Sequence, residues 1–305
     1  MKDIKVISVE EALKAMKRNP EVFKLLPEEC KTPEICLMAV QYEGEMLEYI
    51  PETLKSLGIC LAAVKENSKA LGYVPKEFIT PEMCRIAVQY NGLLLQYVPE
   101  EFKTPMLCFV AVQEDGYALE YVPEALKTQK ICLLAVQKRH CDAIKYVPEA
   151  MKTPGLCRKA VQNYGYALCY VPEALKTPKL CLFAVQNFGF ALKGVPEAMK
   201  TLKLCRIAVQ KYGRIIAYVP ETMKTQEMCL KAVQSSGLEL EFVPEAMKTP
   251  QLCLLAVQKY GLALEYVPEN MRTQEVCIAA VHNDKKALKF VPKALKAQVR
   301  QIVDQ

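Results

Sequence analysis

The sequence predicts an all-α solenoid of eleven helical repeats, each about 24 residues long, closed by a cap at either end. Three observations predict it. Proline recurs at fixed spacing: Pro27, Pro51, Pro75, Pro99 and Pro123 lie 24 apart, Pro148 follows after 25, and Pro172, Pro196, Pro220, Pro244, Pro268 and Pro292 return to 24. A cysteine stands nine residues after each of the first eleven prolines: Cys36, Cys60, Cys84, Cys108, Cys132, Cys157, Cys181, Cys205, Cys229, Cys253 and Cys277. No stretch alternates with period two, so no sheet is expected. A repeat of this length is a unit that buries its apolar face only by stacking on its neighbours.

The first element, residues 1–26, reads as a degenerate capping repeat. Ser8 takes the helix-capping position, and Glu11 completes an S-x-x-E capping box. Glu11 and Lys17 stand where later units have core or Gln residues, as a solvated outer face requires.

Residues 27–291 form the solenoid proper, and Pro172–Val195 illustrates one unit. Thr177 is an N-cap and Pro178 a first-turn proline. The capping residue is Thr in ten of eleven units and Ser56 in the other. A helix of about eleven residues follows, with Leu180, Cys181, Ala184, Val185 and Phe188 on one buried face. Gly189 is expected to end it at a left-handed C′ position. A short helical stretch, Phe190 to Val195, stops before Pro196, because a residue preceding proline avoids the α region. Pro196 to Lys200 makes one more turn, and Thr201 restarts the cycle.

The last element, residues 292–305, is a capping helix. Ala297 replaces the capping Thr, so the helix should run from about Lys293 to Val303 without restarting.

The bulk numbers agree. A chain of 305 residues could hold two domains, but an unbroken repeat argues for one elongated body. A hydrophobic content of 51% suffices for a continuous core, and a net charge of +6 spread along it is a weak signal for a polyanionic partner. The N-terminus lacks an uninterrupted apolar stretch of the secretory kind, and no apolar run approaches the ~18–20 residues that span a bilayer. The chain is expected to be cytoplasmic, with no membrane contact. Equivalent positions on stacked helices lie roughly 8–10 Å apart, too far for a disulfide, which needs Cα atoms within about 7 Å. The cysteine ladder therefore reads as reduced core thiols. Cys30, Cys141 and Cys169 lie off it, the latter two as the exposed thiols. Without CxxC or Cys/His pairing there is no zinc signature, and no metal or cofactor is expected.

The string G-x-A-L-x-Y-V-P-E-x-L-K-T-P-x-L-C-x-x-A-V resembles the repeats of the family called domain of unknown function 4116, over roughly residues 20–296. The resemblance implies a short-helix repeat of the kind found in bacteria, viruses and protists, and it brings no catalytic residues to this sequence. It implies by analogy an effector, or an inhibitor of a defence or host protein. The departures are the one-residue insertion, Gly194, and the stretch from Lys65 to Gly72.

Three further ladders invite a functional reading. Glu follows the proline in ten of twelve cases, and a basic residue comes four after it in eleven of twelve, Ile79 being the exception. A turn with Glu at its positive end and Lys at its negative end explains both; the alternative is a basic stripe that tracks phosphates. Gln follows Ala-Val in nine of eleven units, from Gln41 to Gln258. It is expected to bond neighbouring backbone as an amide ladder, the alternative being contact with the backbone of an extended ligand. Tyr precedes the Val-Pro or Ile-Pro pair in eight units and is expected in the core, with its hydroxyl at an edge.

Function in a repeat array sits where the repeat varies. One such place is the insertion, with Arg139 and His140. The other is the centre, where Tyr164, Tyr166, Phe183, Phe188, Phe190 and Tyr212 gather near Gly194, and Arg158, Lys159, Arg206 and Lys231 replace residues that are often Leu. Aromatic residues with Arg are the composition of an interface hot spot. The expected function is a non-enzymatic scaffold that binds a protein partner. The alternative is a nucleic-acid-binding solenoid using the basic stripe and the central Arg/Lys patch. No Walker loop, HExxH or nucleophile elbow is present, and the adjacent His140, Cys141 and Asp142 do not make a catalytic trio.

Overall fold

The computed structural model describes residues 8–138 and 142–303. The chain is an all-α repeat solenoid that divides into two compact units, residues 1–152 and 153–305. The boundary comes directly after the helix triplet that carries the inserted residue.

The first unit holds α1 (Val9–Arg18), α2 (Pro33–Tyr42), α3 (Leu57–Glu66), α4 (Pro81–Tyr90), α5 (Pro105–Glu114) and α6 (Gln129–Val136). The second holds α7 (Pro154–Asn163), α8 (Pro178–Asn187), α9 (Leu202–Lys211), α10 (Gln226–Ser235), α11 (Pro250–Lys259), α12 (Gln274–Asn283) and α13 (Lys293–Val303). From α1 to α12, two 3₁₀ helices run between successive α-helices, such as Gly189–Gly194 and Glu197–Met199, and a single one, Lys285–Phe290, separates α12 from α13. The last helix spans the residues the missing cap predicts.

Local chemistry sets each boundary. The Thr177 hydroxyl accepts from the Leu180 amide at 3.2 Å, and Pro178 needs no partner in the first turn. At the N-terminus the expected capping box forms, Ser8 N donating to Glu11 Oε2 at 2.9 Å and Glu11 N to Ser8 Oγ at 3.2 Å. The insertion leaves α6 two residues short, and the 3₁₀ helix that follows is only Ala143–Tyr146.

The glycine that follows each helix does not act as the left-handed cap that the sequence suggests. The cap of α8 is Phe188, extended at φ −144 and ψ 104. Its amide donates to Ala184 O at 2.8 Å and its carbonyl accepts from Ala191 N at 2.9 Å, so one extended residue closes the α-helix and opens the 3₁₀ helix. Gly189 comes next, without a left-handed φ, and the need there is space: a Cβ would stand 2.9 Å from Ala208 O and 2.8 Å from Tyr212 Cδ2. Gly165 meets Ala184 O in the same way at 2.7 Å, and Gly237 and Gly261 crowd Ala256 O and Ala280 O. At these positions glycine lets the 3₁₀ helix start against the C-terminal carbonyls of the next α-helix.

The core repeats with the sequence. In α8 the buried residues are Cys181, Ala184 and Val185; Leu180 and Phe188, expected beside them, are half-buried. Ala191, Leu192 and Val195 complete the layer from the 3₁₀ side. Each Leu or Val so buried stabilises the array by about 1.5–3 kcal/mol. All the ladder cysteines are free and buried. Burial pushes the thiols of Cys36, Cys60, Cys84, Cys108, Cys132 and Cys253 up to about 11. Off the ladder, Cys30 is buried, Cys169 is half-buried, and Cys141 lies outside the described residues.

The tyrosine ladder is not core. Tyr49, Tyr97 and Tyr218 are about two-fifths exposed, at 39%, 43% and 38%. Small Ala and Leu side chains already fill the space between repeats, so each ring lies over the surface of the preceding unit. Tyr97 covers Gly72 in this way, and a Cβ on Gly72 would come 3.2 Å from its Cζ. The hydroxyls meet carboxylates: Glu48 holds Tyr73 above the usual phenol range, and burial with Glu241 does the same for Tyr266. At Gly194 the ring is missing and Cys169 packs directly against backbone, where a Cβ would lie 2.8 Å from its Cα.

Candidate partner-binding face

The basic ladder turns inward. Lys55, Lys127, Lys152, Lys176, Lys200 and Lys248 are buried, while their Glu partners three residues earlier are about three-quarters exposed, at 73% for Glu52 and 74% for Glu197. Lys55 Nζ lies 2.6 Å from Glu52 Oε1 and 3.0 Å from the carbonyl oxygen of Tyr73 in the next repeat. Lys200 reaches Tyr218 O, Lys248 reaches Tyr266 O, and Arg272 reaches Phe290 O in the same register. A buried ammonium needs such partners. Lys55, Lys200 and Lys248 are inter-repeat ties, and the six buried lysines present no stripe to phosphates.

The glutamines face outward. All nine, from Gln41 to Gln258, are exposed on the α-helices, and Gln89 Oε1 accepts from Arg85 Nη1 on its own helix at 3.1 Å. The expected buried amide ladder is therefore replaced by a row of surface amides. Alanine and valine turn inward from the preceding positions, which leaves the ninth helix position on the solvent side.

Shallow grooves run between successive α-helices on this face. The one between α7 and α8 has a volume of about 710 Å3 and is lined by Arg158, Gln162, Lys179, Leu182, Phe183 and Gln186, among others. Phe183 is 38% exposed. A second groove, between α9 and α10, is lined by Arg206, Gln210, Glu227, Leu230, Lys231 and Gln234, with about 350 Å3. There Arg206 Nε pairs with Glu227 Oε2 at 3.8 Å.

The predicted aromatic residues other than Phe183 do meet. Phe188 stands at the centre, with ring centroids 5.5 Å from Tyr164, 5.8 Å from Phe190 and 5.3 Å from Tyr212, and Phe190 lies 5.1 Å from Tyr212. Tilted and edge contacts at these separations are the favoured ring geometries. The rings gather at the C-terminal ends of α7, α8 and α9 and line neither groove. The structure thus divides the predicted site. Arg158, Arg206 and Lys231 line grooves, exposed Lys159 sits beside Arg158 on α7, and the aromatic cluster is a separate feature. Arg139 and His140 lie outside the described residues. Sequence reasoning passed over Lys179, for which its second helix position was the available signal, and grouped Phe183 with the central aromatic residues, whereas it lines the groove.

The helix–3₁₀–3₁₀ unit recurs at the same period as a known sequence family. A family model described as Domain of unknown function (DUF4116) matches residues 10–55, 32–79, 57–103, 80–127 and 249–296, more than half of the chain. The chain belongs to the DUF4116 family. No curated protein and no solved structure matches it. Each DUF4116 match spans about two proline periods, and the described candidate residues, Arg158 to Lys231, lie between the matched segments. No helix among the described residues is long and apolar enough to cross a membrane.

Proposed function

We propose that this DUF4116 chain is a non-enzymatic scaffold that binds a protein partner on the α-helix face of its second unit. One observation carries the reading: the groove between α7 and α8 sets exposed Phe183 and half-buried Leu182 beside Arg158 and two glutamines, on a face free of the buried lysine ties. Apolar side chains flanked by Arg are what partner surfaces use for affinity, and surface amides suit backbone groups of a bound chain. The reading extends to an effector or an inhibitor of a defence or host protein, which acts by occupying a surface. Thirteen free thiols among the described residues support a reducing compartment, the cytoplasm. Nucleic acid is the weaker alternative, because the lysines of the basic stripe are buried and bonded to carboxylates and carbonyls, which leaves it only the central patch of Arg158, Lys159, Arg206 and Lys231.

The test is capture from nuclease-treated source-cell lysate on the immobilised protein, beside a doubly substituted Arg158→Glu, Arg206→Glu variant. A protein retained by the native chain and lost by the variant, with thermal stability unchanged, is the expected result. Retention of nothing, or of the same proteins by both, would overturn the reading.

A further inference from the structure

In two places the second residue of one α-helix meets the fifth residue of the helix before it, 21 positions earlier. Arg206 and Glu227 pair in this register across α9 and α10. In the first unit Lys130 Nζ lies over the Phe109 ring at 5.0 Å, again 21 residues apart. The same register between α7 and α8 joins Arg158 to Lys179, and both line the groove there.

Two cations thus face one groove, and one of them, Lys179, stands where four other repeats put an acid. The second helix position is Glu34 in α2, Glu82 in α4, Glu227 in α10 and Glu275 in α12. In α7, α8 and α9 it is Gly155, Lys179 and Lys203. Lysine in the first turn faces the positive end of the helix dipole, an unfavourable placement. Across these three helices there are Arg158, Lys159, Lys179, Lys203, Arg206 and Lys211, with no Asp or Glu. By contrast α2, α3, α4 and α5 each carry a glutamate. Among the described residues, Arg158, Lys159, Lys179 and Lys203 form no ion pair, although all are exposed. A site that breaks a local rule without an internal compensation marks function.

We infer that the partner supplies the missing carboxylate: the ligand of this face is an acidic, extended polypeptide segment. One of its Asp or Glu side chains sits between Arg158 and Lys179, and an adjacent apolar side chain enters the groove against Leu182 and Phe183. This rests on the protein-binding reading above and names its ligand. Charge complementarity selects an acidic chain, since a basic or neutral one leaves both cations uncompensated. The lining by Leu182 and Phe183 suits an aliphatic side chain, and the oligonucleotide arm of the experiment tests whether a base stacks on Phe183 instead. An extended chain rises about 3.3 Å per residue, so three residues match the ~8–10 Å between stacked helices. The same register then brings a peptide group to each of Gln162, Gln186 and Gln210, all exposed.

The experiment titrates the whole chain with fluorescein-labelled 12-residue peptides of repeating Glu-Leu-Ser, and with versions carrying Gln for Glu or Ser for Leu. A 12-nucleotide oligothymidylate is run beside them. The expected result is affinity for the first peptide at least about tenfold above the other two, weakening as salt rises. Lys179→Glu, which returns an acid to the groove, should lower that affinity at least about tenfold while leaving the fold intact. Phe183→Ala should lower it severalfold. Equal affinity for the Gln peptide, no effect of Lys179→Glu, or tighter binding of the oligonucleotide would overturn the inference. Lysate capture separates the two readings. A protein lost on Arg158→Glu, Arg206→Glu but retained by Lys179→Glu leaves the scaffold standing and overturns the acidic ligand.

Discussion

Lys55 Nζ donates to the carbonyl oxygen of Tyr73, eighteen residues on, at 3.0 Å. That bond joins one repeat to the next, and it recurs from Lys200 to Tyr218 and from Lys248 to Tyr266. The carbonyl belongs to the end of a 3₁₀ helix, where no intrahelical donor remains.

Replacing the tie removes a donor from a buried acceptor. Lys55→Met or Lys200→Met, which keeps the apolar stem, should cost about 1–3 kcal/mol of stability. Glu197→Gln, at the exposed end of the ion pair, should cost under about 1 kcal/mol. Denaturant unfolding of the three variants checks this, and equal losses would mean that the carbonyl bond is unimportant.

Glycine variants separate close approach from backbone handedness. Gly189→Ala should destabilise by about 1–3 kcal/mol through the contact with Ala208 O, and Gly189→Asn should be at least as harmful. A left-handed cap would tolerate Asn. Gly155→Ala, where a Cβ meets nothing within 4 Å, should leave stability unchanged or raise it by about 0.4–1 kcal/mol. Thermal melts of the three variants test the pair of claims.

The thiol ladder makes stability fall in alkali. Burial raises the folded-state thiols of Cys60 and Cys84 from 9.0 to about 11, so the folded chain holds protons that the unfolded chain releases. This stabilisation is complete below pH 9 and is lost as pH rises towards 11. The denaturant midpoint should drop across that window. A disulfide-exchange reagent at pH 8 should leave these ladder thiols unlabelled until denaturant is added.

Phe188→Ala should disperse the ring cluster. It removes contacts to Tyr164, Phe190 and Tyr212, costing about 2–4 kcal/mol and flattening the near-ultraviolet circular dichroism. Because the rings line neither groove, peptide binding at folded concentrations should change less than twofold on the affinity scale. A larger change would join the cluster to the binding face.

What was legible in the sequence was local. Thr177 before Pro178, the Ser8–Glu11 box and the missing cap at Ala297 each act within one turn, and each boundary follows from them. Gly189 misled because a left-handed cap and a close packing contact leave the same letter at the same place. Lys55 looked like a surface base because its acceptor, Tyr73 O, is a backbone group in another repeat and leaves no mark in composition. The tyrosines looked internal beside Leu and Val, although the 3₁₀ path turns the rings outwards. Of the candidate site, Arg158 and Arg206 were visible as substitutions for Leu. Lys179 was not, because its meaning depends on the 21-residue register between helices, which emerges only from the Arg206–Glu227 pair.

The lysine ties all point forwards along the chain, and this gives the array a direction. If a repeat at the C-terminal end of a unit peels away, it strands an ammonium that must be rehydrated beside its glutamate. If one at the N-terminal end peels away, it leaves behind only a carbonyl, which water satisfies cheaply. Fraying should therefore start at N-terminal ends and move inwards. At the far end Arg272 binds Val267 O, Glu265 O and Phe290 O together, and so acts as a terminal latch.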